Sequence, residues 1–216
     1  MAGKVHKAIG ILGVATFLLV ILGGCASTPP PPPPPQQDML DILGRQSPDM
    51  TLHGQATGPL VKADAIPVAH TPKDGYTVFP DLVLKDCNEP IAPGIPDISG
   101  LWVSYTGGNS VDHMERIEQA GNRVVITSKG VIHDMVADGT AEHGVNDVTE
   151  VNYKTPVHVA AKFEKGGLSL YPFGLFAYAT RRLEGNELVL HWGSKIVRMK
   201  RVPYSLLPWL LAHGAR

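Results

Sequence analysis

Six residues of the kinds that metals favour, His133, Asp134, Asp138, His143, Asp147 and His158, fall within one short stretch of the chain. Neutral imidazole together with carboxylate is the donor set that suits zinc or iron. Their spacing argues against a shared ion. His133 and Asp134 are adjacent, so on a strand they point to opposite faces. Asp138-Gly139 has the form of an ordinary turn, and the sequence holds neither a His-x-His pair nor a His-x-x-x-His pair that a helix would bring together. No metal is expected. A hydrolase would need a nucleophile held beside a base, yet Ser99, Ser104, Ser110 and Ser128 lie in or near β-favouring runs, and none occupies a Gly-x-Ser-x-Gly elbow. No glycine-rich phosphate loop opens a helix. The chain is therefore expected to act without catalysis and without a cofactor. Its 19 Lys+Arg against 20 Asp+Glu leave a formal charge of −1. With no basic excess to neutralise a phosphate backbone, nucleic acid is not an expected partner.

The two cysteines are too few for a disulfide scaffold, and their contexts differ. Cys25 ends a leader: Lys4, His6 and Lys7 form a cationic start, and Ala8 to Leu22 is an uncharged, mostly apolar run. That run falls short of the ~20 residues a membrane-spanning helix needs, and Gly23-Gly24 follows it, so a cleaved secretory signal is the better reading. Leu22-Gly23-Gly24-Cys25 resembles the lipobox of bacterial lipoproteins. The resemblance implies cleavage before Cys25 by signal peptidase II, a diacylglyceryl group on its thiol and acylation of the new amine. Two or three acyl chains at ~0.8 kcal/mol per buried methylene would make the membrane attachment effectively permanent. Ala26, where an aspartate resembles an inner-membrane retention signal, implies the outer membrane, with the periplasmic face as default. Cys87, in Lys85-Asp86-Cys87-Asn88-Glu89, is then left without a partner. Its polar neighbours are unlike a core, and both an intermolecular disulfide and a buried, inert thiol stay open.

Stepwise along the chain, residues 1–24 are the signal and 25–96 the lipidated start, spacer and linker. Pro29 to Pro35 is an unbroken heptaproline, a polyproline II rod about 20 Å long. The proline- and glycine-rich stretch to residue 96 leaves no room for a long helix. Its later part, with Val78, Phe79, Leu82 and Leu84, is expected to drape over the domain that follows. Residues 97–203 form that domain, and 204–216 an apolar tail, expected to pack against the domain, with a partner or membrane contact as the other option.

In the domain, β-favouring runs recur every 8 to 12 residues between turn signals: 99–105, 112–119, 123–128, 131–137, 156–163, 168–172, 176–183, 187–192 and 195–202. Val157, Val159, Ala161 and Phe163 share one face of their run, and Leu168 and Leu170 one face of the next. Short hairpin connections make each strand the neighbour of the last, and a meander of eight or nine strands removes its exposed edges by closing. The expected fold is all-β, a small antiparallel up-and-down barrel. One connection, Ala141 to Thr155, is long and polar, the kind of loop that often carries a binding surface.

Ser99-Gly100-Leu101-Trp102 places a Gly-x-Trp at the start of the first strand, which resembles the entry motif of lipocalins and the wider calycin group. The resemblance implies that Trp102 plugs the closed end of the barrel beneath an arginine of the last strand. Arg201, in parity with Val197 and Met199, is the first candidate and Arg198 the second. It supports a lipocalin-like shape more than ligand carriage, since strands of six or seven residues leave an interior that its own side chains can fill. The functional expectation is a lipid-anchored binding or scaffolding module of the outer membrane that engages an envelope protein. The alternatives are a carrier of a small hydrophobic ligand lined by Val157, Val159, Phe163, Leu168 and Leu170, and a protease inhibitor.

Overall fold

The computed structural model describes Leu52, residues 57–106 and residues 113–214. Cys25, the leader and the heptaproline lie outside the described residues. Nine strands form one antiparallel sheet: β1 (Gly100–Ser104), β2 (Met114–Ala120), β3 (Arg123–Ser128), β4 (Val131–Val136), β5 (Ala160–Glu164), β6 (Gly167–Tyr171), β7 (Ala179–Glu184), β8 (Glu187–Trp192) and β9 (Lys195–Val202). The spatial order is β4-β3-β2-β1-β9-β8-β7-β6-β5. The first and last strands therefore pair, Trp102 standing opposite Arg201. Tight hairpins follow from the sequence. Lys129-Gly130 and Lys165-Gly166 each take positive φ at both positions, as a two-residue turn matched to strand twist requires.

The sheet curls into a nearly closed barrel whose one seam lies between β4 and β5. The long connection seals it. Val136 donates its N–H to the His143 carbonyl at 2.7 Å, Gly139 to Ala161 at 2.8 Å, and Val145 and Val159 exchange bonds at 2.9 Å each. Gly144 is required here, because a Cβ would collide with the Val159 backbone. The run expected at 156–163 is a ladder only from Ala160, since Val157 and Val159 pair with the long connection instead of with a neighbouring strand.

The inner core joins Ile98, Trp102, Ile117, Val124, Ile126, Met135, Ala161, Leu168, Leu188 and Met199, with others. Outside, the stretch before the barrel is more firmly placed than a linker. From Val61 to Val83 it lays Ala63, Ile66, Ala69, Tyr76 and Val83 on Val125 and Ile132, and Leu84 and Cys87 join the same cluster. Below it, barrel side chains grip its backbone. Arg123 donates to the carbonyls of Ala63, Ile66 and Pro67 at 2.5 to 2.9 Å and pairs with Asp134, which accepts from Ala69 N–H at 2.8 Å. Arg116 takes Pro80 and Asp81 carbonyls at 2.5 and 2.8 Å, and Glu118 accepts from Leu84 N–H. The later part of this strap drapes over the barrel as expected, with Phe79 and Leu84 packed and Val78 exposed, and the contact extends back to Val61. Of the two readings open for Cys87 it selects the buried thiol, which donates to the Val61 carbonyl while its polar neighbours Asn88 and Glu89 turn to the same strap and accept the Val61 and Ala63 N–H groups. At the other terminus the apolar tail forms a short helix, α1 (Leu207–Ala212), and Leu207 and Leu210 pack on Leu101, Val103, Met114 and Val202 outside the barrel.

Candidate functional site

The barrel has two unlike ends. At the one where β1 begins, Trp102 is buried, its indole N–H bonded to the Ile98 carbonyl at 2.8 Å. The Arg201 guanidinium carbon lies 4.7 Å from the ring centroid, and its Nη2 donates to the Asp97 carbonyl at 2.8 Å. Burial pulls the Arg201 pKa below that of a free guanidinium. Gln119 completes the plug by accepting Ile98 N–H at 2.6 Å and donating to Pro96. The buried side chains at this end are taken up by packing and hydrogen bonds to the backbone. Arg198, the second candidate for the tryptophan, points outward to Glu184 and Glu187.

Toward the other end the interior turns polar. Glu115 on β2 and Arg181 on β7, both buried, meet across the barrel through two hydrogen bonds of 2.7 Å. Burial pushes the Glu115 carboxyl up, but the charge and donors of Arg181, joined by His113 at 3.1 Å, outweigh it and hold the group far below the usual carboxylate range. On the seam, His133 faces Glu150 at 3.8 Å and lowers its pKa against the opposing effect of burial. Ser104 and Ser128 present buried hydroxyls that have no hydrogen-bond partner among the described residues. The five lining candidates come together here as core side chains: Leu168 is fully buried in the inner cluster, and Val157, Val159, Phe163 and Leu170 pack against it, partly buried. The register hides this polar pair from local sequence patterns, since Glu115 and Arg181 are 66 positions apart. Parity was the available signal: each shares a strand face with inward residues, Ile117 for one and Leu183 for the other.

A recess of another kind lies on the outside. A half-open groove of about 850 Å³ runs between the strap, the ends of β2, β3 and β4, and the start of the long connection. Its walls include Lys62, Asp64, Val68, Glu89, Asn122 and Asn146, with Arg123 and Asp134 in its floor. The carboxylates on its rim outnumber the lysine. Three separate segments build it, which is why no single stretch of sequence announces it. The histidine-carboxylate stretch divides around this region without converging. Asp134 belongs to Arg123, Asp147 accepts Thr71 N–H, His158 bonds Asn146 at 2.7 Å, and His143 bonds Asp138 at 2.6 Å. Hydrogen bonds from His143 and Thr140 bring Asp138 down to about 2. Among the described residues no three histidine, cysteine, aspartate or glutamate side chains are grouped to hold a metal ion.

Comparison with protein-family models and with curated proteins gives no match for this chain.

Proposed function

We propose that the protein is a lipid-anchored binding module of the outer membrane, facing the periplasm and receiving a segment of an envelope protein in the groove between strap and barrel. The observation that carries this reading is where free space lies. The interior is occupied by Trp102, the core side chains and the Glu115–Arg181 pair, whereas the 850 Å³ groove stands open on the outside. Its acidic rim favours a cationic, extended segment over an acidic one. The strap and the long connection are both latched to the barrel at its borders, so the walls are set before a partner arrives, which lowers the ordering cost of association. The spacer between Cys25 and the strap gives the module reach from the lipid surface.

The test has two arms. Globomycin, which blocks signal peptidase II, should accumulate a larger, unprocessed form, and Cys25→Ser should release the chain from membranes. A photo-crosslinking residue at Val68 or Asn122 should yield a discrete protein adduct in living cells, with none from Asn186 at a remote hairpin. Adducts equal at all three positions would sink the groove as the binding surface, and unchanged migration with globomycin would sink the anchor.

A further inference from the structure

At the end of the barrel opposite Trp102, the β6–β7 connection holds Phe173, Leu175 and Phe176 out in solvent, 71, 86 and 56% exposed. Burying such side chains within the protein would be favourable, so their common exposure asks for an external partner. Gly174, at φ +72°, makes the turn that lifts them, and the two phenyl rings lean together at 6.5 Å. Beside them, Tyr178 and Trp192 are each about half exposed, and the Lys195 ammonium lies 5.9 Å from the Trp192 ring centroid. The turns around the same rim carry Lys129 and Lys154, both exposed, while Glu150 is turned in toward His133. Lys73 and Asp74, on the strap where it passes Gly130, offset each other.

We infer that this crest docks on an anionic lipid surface. Apolar side chains at a tip, flanked by tyrosine and tryptophan and ringed by lysines, match the layering of acyl chains, interface and negative headgroups. The chain also permits it. Leu52 is tied to Ser99 at the Trp102 end, and the 27 residues back to Cys25 reach up to ~90 Å extended, far more than the barrel's height.

A bimane label on Leu175→Cys tests the inference, since the buried Cys87 thiol is shielded from labelling. The full protein is mixed with phosphatidylglycerol-containing vesicles carrying brominated acyl chains, with Asn186→Cys labelled as the control. The expected result is a blue shift and several-fold stronger quenching at 175 than at 186, lost when Lys129, Lys154 and Lys195 are all changed to glutamate. Equal, weak quenching at both positions overturns the inference, and so does failure to float with these vesicles. Quenching as strong on phosphatidylcholine alone overturns its anionic part. Protection of 175 that rises with protein concentration, independent of lipid, overturns it in favour of a second copy.

Discussion

The carboxylate of Glu115 receives both Nε and Nη2 of Arg181 from the opposite wall of the barrel, each at 2.7 Å. The two residues belong to strands four places apart in the nine-strand order, so the pair works as a cross-brace between two strands that share no ladder. Below it the interior is apolar down to Trp102; above it lie His113, His133 and Glu150. A charge so deeply buried is tolerated only while its partner stays in place.

Removing one member should therefore be severe. Glu115→Leu or Arg181→Met is expected to lower unfolding free energy by about 3–5 kcal/mol, while the double change Glu115→Leu/Arg181→Met recovers most of that loss. Urea unfolding of the four proteins gives the coupling. Additive losses would show that the brace is not a unit. The depressed Glu115 pKa fixes the sign with pH: the contribution is present above the ordinary carboxylate range and declines as pH falls toward the folded value.

The Trp102 plug predicts a graded pair. Trp102→Ala should cost about 3–5 kcal/mol through lost packing. Arg201→Met, which keeps the aliphatic cover but loses the cation over the ring, should cost about 1–2 kcal/mol. Thermal and denaturant unfolding read both.

Strap attachment rests on Arg123. Arg123→Met leaves the carbonyls of Ala63, Ile66 and Pro67 without their donor and Asp134 without its charge partner. Trypsin should then cut after Lys62 and Lys73 at least tenfold faster than in the wild type, with the barrel core still resistant. Unchanged cleavage kinetics would mean the apolar contacts alone hold the strap.

The exposed Asp138–His143 pair can be followed without perturbing the fold. Asp138 lies at about 2 and His143 is raised by its hydrogen bond to that carboxylate. Asp138 therefore favours the folded loop above its ordinary range and loses this as pH falls toward 2. The raised His143 contributes below its unfolded pKa and loses its contribution as pH climbs through the folded value. NMR titration of His143 should give a midpoint above the usual histidine value, returning to it in Asp138→Asn.

Much of the barrel was legible because hairpin chemistry and alternation agree. The run 187–192 with its Gly185-Asn186 and Gly193 borders coincides with β8, and 123–128 with β3. Alternation gave the shared inward face of Val157, Val159, Ala161 and Phe163 but overextended the strand, since Val159 bridges Val145 and Val157 donates to the Asp147 carbonyl outside any regular ladder. The strap was legible only in its later part, where Phe79 and Leu84 lie on the barrel as expected. Its hold comes from side chains of Arg116, Glu118, Arg123 and Asp134, which grasp backbone atoms and so impose no pattern on the residues they grasp. Cys87 looked unlike a core residue because the polar Asn88 and Glu89 beside it also turn to the strap, where they accept the Val61 and Ala63 N–H groups while the thiol donates to the Val61 carbonyl. The groove needs three distant segments, and only the folded chain brings them together.

The grip of two guanidinium groups on the strap has a practical corollary for anyone trimming this gene. A fragment opened at residue 97, where the sheet begins, would expose the apolar faces of Val125 and Ile132 and strand the cations of Arg116 and Arg123 beside them. A fragment that keeps the strap's hold on the barrel has to include it from Gly58, whose carbonyl accepts from Asn88. The residues that resemble dispensable leader sequence are part of the wall.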